Sequence, residues 1–180
     1  INVNAAAGGT GGANLQNITT GATGAMTVAT NTGGNTTGGA ISQGVGTALN
    51  VGTGNFSTGN GTITLNSGTN NFGTVAISRA TDVILADANA LTLGASTISG
   101  TLSVTTAGAL TQSGAVNVTG STTLAAGAAN DITLNNAGNN FSSVGITSGN
   151  NVTLRDTNAL TLGTSTVTEA LNVTAGGAIT

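Results

Sequence analysis

The run Asn89-Ala90-Leu91-Thr92-Leu93-Gly94 returns unchanged as Asn158-Ala159-Leu160-Thr161-Leu162-Gly163, 69 positions further on. The match extends from it in both directions without a gap. Residues 62–111 pair with residues 131–180, and about half of the 50 paired positions are identical. The pairs include Ile63 with Ile132, Leu65 with Leu134, Phe72 with Phe141, Val83 with Val152 and Leu102 with Leu171. A shorter echo lies upstream, where Gly39-Ala40-Ile41-Ser42-Gln43 matches Gly108-Ala109-Leu110-Thr111-Gln112. Residues 1–38 are more degenerate, although Ile1-Asn2-Val3 and Met26-Thr27-Val28 keep the local pattern.

Inside each copy the pattern is an apolar-polar-apolar triplet. Ile63-Thr64-Leu65, Leu91-Thr92-Leu93, Leu102-Ser103-Val104, Val116-Asn117-Val118 and Ile132-Thr133-Leu134 are examples, and Val83-Ile84-Leu85 keeps the outer two residues with Ile in the middle. Alternation with period two marks a half-buried strand, and the Gly, Asn, Ser and Ala between triplets supply turns. Gly is dense enough to penalise any helix. Short strands of this kind suit a sandwich, a barrel or a solenoid. Only a solenoid has a reason to repeat its sequence at a fixed interval, because its units stack on equivalent neighbours. The expected fold is therefore an all-β parallel β-helix with about 20–23 residues per coil, so that 69 residues hold about three coils. Paired residues should then share one face, displaced by about 14 Å along the axis. The whole segment should make about eight or nine coils. Phe72 and Phe141 are expected in equivalent turns after Asn70-Asn71 and Asn139-Asn140, since Asn tolerates left-handed turns and bonds to nearby backbone.

Composition supports this and narrows function. Of 180 residues, 30 are Gly, 4% are charged, and Pro, Cys, Trp, Tyr and His are absent. Disordered chains of low complexity usually carry high charge and few β-branched residues, whereas this chain is rich in Val, Ile and Thr. Two Arg and no Lys give little to neutralise a phosphate backbone or an anionic lipid surface. Without Cys there is no disulfide framework and no thiolate metal site. No apolar run reaches the length of a membrane helix. The reading is a single solenoid segment over residues 1–180, internal to a larger protein, with clear repeats over 39–180.

The ionisable side chains are Arg79, Asp82, Asp87, Asp131, Arg155, Asp156 and Glu169. They read as solvated turn residues, with Arg155 and Asp156 pairing on the surface. As an acid–base pair, Asp87 and Asp156 would stand about 14 Å apart by strand spacing, too far for a glycosidase mechanism. No catalytic, cofactor or metal residues are assigned, and the calcium-binding Gly-Gly-x-Gly-x-Asp repeat is missing. The expectation is that the chain is not an enzyme. Asn-x-Ser/Thr occurs at Asn17, Asn35, Asn55, Asn60, Asn117, Asn140, Asn151 and Asn172. Asn117, Asn140, Asn151 and Asn172 are the candidates for glycosylation.

Ile132-Thr133-Leu134-Asn135-Asn136, the two Asn-Asn-Phe runs, the Asn-Ala-Leu-Thr-Leu-Gly runs and Gly108-Ala109-Leu110-Thr111-Gln112-Ser113-Gly114 resemble the repeats of filamentous-haemagglutinin-like exoproteins. The resemblance covers about residues 39–180. It implies a right-handed parallel β-helix forming an extended adhesive fibre, secreted by the two-partner route to the surface of a Gram-negative bacterium. Autotransporter passenger domains use similar repeats, so both export routes stay open. The functional expectation is a structural shaft that carries adhesive regions towards a host cell, neighbouring cell or matrix, with end-to-end self-association open to it. The alternative is a direct binding module for glycan or ice on a flat, Thr-rich face.

Overall fold

The computed structural model describes residues 1–4, 11–31 and 37–180. Among these residues there is no helix, and every strand pairing is parallel. The strands form two sheets. The first runs β1 (Asn2–Asn4), β3 (Ile18–Ala29), β5 (Leu49–Ser57), β7 (Asn71–Arg79), β9 (Leu91–Leu93), β12 (Leu110–Gln112), β14 (Ile132–Leu134), β16 (Val152–Asp156) and β18 (Leu171–Ala175). The second runs β2 (Ala13–Leu15), β4 (Ile41–Gln43), β6 (Ile63–Leu65), β8 (Val83–Asp87), β11 (Leu102–Thr106), β13 (Val116–Ala125), β15 (Asn140–Gly149) and β17 (Thr161–Val167), with β10 (Ser96–Ile98) also paired to β13. The chain alternates between sheets and climbs one rank per turn, which makes a parallel β-solenoid of about seven turns.

The triplets explain the core. In Ile63-Thr64-Leu65 the outer two side chains are fully buried and the middle one is not. The same holds for Leu91-Thr92-Leu93 and Ile132-Thr133-Leu134. Most ranks send two or more apolar side chains inward, β4 and β12 send one with a Gln at the second inward position, and the ranks merge into one apolar cluster from Leu15 to Leu160. Burying a Val, Leu or Ile contributes about 1.5–3 kcal/mol. No single coil could shield its own inward residues, so this stabilisation comes from stacking.

Register fixes the coil length and corrects one expectation. Ile63 pairs with Val83, Val83 with Leu102 and Leu102 with Thr122. Three coils therefore end at Thr122, short of Ile132, the counterpart of Ile63 in the sequence repeat. From Thr122 the chain crosses to the opposite sheet, where Ile132 lies in β14. One sequence repeat thus makes three and a half coils, not three. Residues 69 positions apart point inward, as expected, but from opposite sheets: β6 corresponds to β14, β7 to β15, β8 to β16, β9 to the start of β17, and β11 to β18. The physical reason is that both sheets offer the same environment, apolar within and small-polar without. A period-two pattern satisfies either, so a repeat can advance by half a coil without turning a side chain outward.

Three further expectations change. The first coils are long, since Ala13 stacks on a residue as distant as Ile41, and Ile18 on Leu49. This lowers the number of turns below eight. Phe72 and Phe141 lie in strands β7 and β15, not in turns, and both are fully buried. Phe72 meets Phe56 edge-on with centroids 6.3 Å apart. No described residue other than Gly has positive φ, so the Asn residues adopt no left-handed turns. That conformation falls to Gly21, Gly46, Gly59 and Gly127; Gly46 (φ 71) and Gly59 (φ 68) sit in turns closed by Thr47 N–H on Gly44 O and Gly61 N–H on Thr58 O. Leu102 is buried, while its counterpart Leu171 is 41% exposed because β18 is the last rank of its sheet.

Candidate functional site

Two kinds of polar constellation recur at the corners, and the first is an internal brace. Asn70 and Asn139 are completely buried. Asn70 Oδ1 accepts from Gln43 Nε2 at 2.7 Å and from Leu49 N–H at 2.9 Å. Its Nδ2 donates to Gln43 Oε1, Leu65 O and Ala86 O. Asn139 does the same on the other side: Oδ1 accepts from Gln112 Nε2 and Val116 N–H, and Nδ2 donates to Gln112 Oε1, Leu134 O and Arg155 O. Each brace ties three successive coils. A buried amide is tolerated because all its donors and acceptors are used.

The carboxylates make a second brace. Asp87 accepts from Phe72 N–H (2.6 Å) and Asn89 N–H (2.8 Å), and Asp156 accepts from Phe141 N–H (2.6 Å) and Asn158 N–H (3.0 Å). Both are 3% exposed, which corrects their reading as solvated residues. Burial raises the Asp87 carboxyl above its usual 3.8, against the two backbone bonds that lower it. Asp87 belongs to the second sheet and Asp156 to the first, so they do not converge. Arg155 and Asp156 are strand neighbours and face opposite ways; Asp156 is turned inward, and the expected surface pair does not form. Asp82 accepts from Thr101 N–H and Oγ1, and Asp131 from Asn151 N–H, Asn151 Nδ2 and Asn150 Nδ2. Both carboxyls are held below 3.8, chiefly by the backbone bond. Among the described residues no three His, Cys, Asp or Glu side chains gather.

The third feature is an open groove of about 390 Å³ on the second sheet. Asn117, Asn140 and Asn158 line one side of it, and Thr119 and Ser142 the other. Val118 and Phe141 lie between them with their side chains inward. Two glycosylation candidates, Asn117 and Asn140, stand here, the first half-buried and the second exposed. Asn151 and Asn172 are exposed elsewhere, and Asn151 is engaged with Asp131. Asn17 and Asn60 accept backbone bonds, from Ala48 N–H and Gly38 N–H. Asn55 is half-buried in β5, and Asn35 lies outside the described residues.

Sequence reasoning saw the Asn pairs but missed Gln43 and Gln112. The signal was present: each precedes its buried Asn by 27 residues, in both copies.

Stacked parallel ranks, a repeated polar brace and two sheets with like apolar inner faces define a repeat-built β-solenoid. The chain belongs to a family of repeats of unknown function (DUF5649), whose model matches residues 3–78, 80–148 and 149–180. The second match begins at position 80 and the third at position 149, the same interval as the repeat found within the chain itself. Comparison with curated proteins and with solved structures gave no match.

Proposed function

We propose that this segment is a structural shaft in a large secreted surface protein of the filamentous-haemagglutinin-like adhesin type, holding adhesive regions away from the cell. The observation that carries the reading is the unbroken apolar core shared by successive ranks from Leu15 to Leu160, braced across coils by Asn70 and Asn139. Such a stack grows by adding repeats without changing its cross-section. The surface bears few charges, and the buried polar groups Asn70, Asn139, Asp87 and Asp156 tie neighbouring coils together. Electron microscopy of the parent protein tests the shaft. It should show rods that lengthen by about 17 Å per sequence repeat, three and a half strand spacings. Compact particles, or absence of the protein from the surface of intact cells, would contradict the reading.

A direct binding module is favoured by one observation. The outer face of the first sheet carries a column of Thr: Thr53 pairs with Thr74, Thr74 with Thr92 and Thr92 with Thr111, and the column resumes with Thr133 paired to Thr153. It is a single column, and a thermal hysteresis assay of the purified segment decides whether it binds ice.

A further inference from the structure

Three amides stand on successive ranks of the second sheet. Asn117 of β13 pairs with Asn140 of β15, and Asn158, just before β17, donates from Nδ2 to Asn140 Oδ1 at 3.0 Å. Beside them stand the hydroxyls of Thr119 and Ser142, across the groove already described. Asn140 Nδ2, Asn158 Oδ1, both amide atoms of Asn117 and both hydroxyls have no protein partner among the described residues. Donors and acceptors are therefore displayed in two parallel columns, repeating at the strand spacing of about 4.8 Å.

The chemistry of the lining selects the ligand. No ionisable side chain lines the groove, so a charged ligand would lose hydration with no opposite charge to replace it. Val118 and Phe141 are 2% and 1% exposed, and the apolar side chain the groove offers is the exposed Ala159, so a purely apolar ligand would cover it only by leaving the unpartnered amides and hydroxyls without hydrogen bonds. What remains is an uncharged molecule rich in hydroxyls, long enough to span several ranks. We propose that this groove binds a neutral oligosaccharide laid along the solenoid axis, hydrogen-bonded by Asn117, Asn140 and Asn158 on one side and by Thr119 and Ser142 on the other.

The half-coil repeat supplies an internal comparison. On the first sheet Asn50 pairs with Asn71 as Asn117 pairs with Asn140, and Asn89 follows as Asn158 does. The positions of Thr119 and Ser142 are taken there by Gly52 and Gly73. That side has the amides without the hydroxyls, and it should bind less well.

The test is a titration of the isotope-labelled segment with maltohexaose, cellohexaose and N-acetylchitohexaose, following side-chain amide signals by NMR. The expected result is that at least one probe shifts Asn140 and Asn158, with much smaller shifts at Asn71 and Asn89. Asn140→Ala and Thr119→Val should each weaken that binding by up to about tenfold, the loss of one or two hydrogen bonds. Thr119→Val keeps strand shape and apolar volume, so a folded, weakened variant is obtainable even if the Asn change disturbs the coil. The proposal is overturned if none of the probes shifts Asn140 or Asn158, if Asn71 responds as strongly as Asn140, or if an anionic oligogalacturonate binds more tightly than the neutral probes.

Discussion

Residues 62–111 and 131–180 run through the same sequence of strands on opposite sheets, and what they keep differs from what they let go. Both keep the buried Asn (Asn70, Asn139), the corner carboxylate (Asp87, Asp156), the inward Phe (Phe72, Phe141) and the Ser that accepts a strand N–H (Ser96 from Ile77, Ser165 from Ile146). They differ where side chains face out: Ile84, 43% exposed, against Thr153, and Gly73 against Ser142. The shared residues hold coils together whichever sheet they enter from. The outer ones are free to make the two faces chemically distinct.

Core packing should separate the copies most. Phe72→Ala is expected to cost about 4–5 kcal/mol, as large buried aromatics do. Phe141→Ala should cost about 1 kcal/mol less, because the place held by Phe56 opposite Ile77 is held by Leu124 opposite Ile146, and the edge-on ring contact is lost only in the first copy. Chemical denaturation with a local hydrogen-exchange readout checks this, since a stack can open in parts. Equal costs would show that the aromatic pair adds nothing beyond area.

The braces should behave alike. Asn70→Ala and Asn139→Ala each strand a buried N–H, two carbonyls and a Gln amide, and each should cost about 3–4 kcal/mol. A difference above about 1.5 kcal/mol between them, read by the same exchange experiment, breaks the equivalence of the two copies.

A smaller effect has the opposite sign. Thr122 pairs with Val144 and Leu102 and points inward, and its hydroxyl is buried without a partner among the described residues. Thr122→Val should stabilise the chain by about 1 kcal/mol, seen as a higher denaturation midpoint with unchanged slope.

The smallest effect is that of pH. With no His, Cys, Lys or Tyr, stability should be nearly flat from above the raised folded value of Asp87 up to about pH 9. Asp82 and Asp131 have folded values below 3.8, so their contribution is present above 3.8 and is lost as pH falls through the folded value. Asp87 is raised, so its protonation favours the fold and its contribution grows as pH falls through its folded value. Thermal melts across pH should show that Asp82→Asn flattens the acid limb and Asp87→Asn steepens it. The same slope in both variants contradicts these assignments.

The inward residues were legible because strand alternation writes them directly, as in Ile63-Thr64-Leu65 and its copy at Ile132-Thr133-Leu134. Parallel stacking followed from the ungapped repeat. The half coil was not legible. Alternation says which residues face the core but not from which sheet, and two like sheets leave no mark on sequence. The placement of Phe72 was missed because Asn70-Asn71 has the composition of a turn, whereas Asn70 is a buried brace that delivers Asn71 straight into β7. The candidate groove was hidden for the same reason: Asn117, Asn140 and Asn158 are unevenly spaced in sequence and adjoin only once coils of unequal length are stacked.

The half-coil advance is the central claim, and spin labels at Thr64→Cys and Thr133→Cys test it most directly. The chain has no native Cys, and both positions face outward between buried neighbours. Three and a half coils place the two labels on opposite faces, about 17 Å apart along the axis and about 10 Å across it. The measured separation should therefore exceed about 20 Å, by roughly the outward reach of two labels. A separation of about 14 Å would put both on one face, three whole coils apart, and would contradict the half-coil advance.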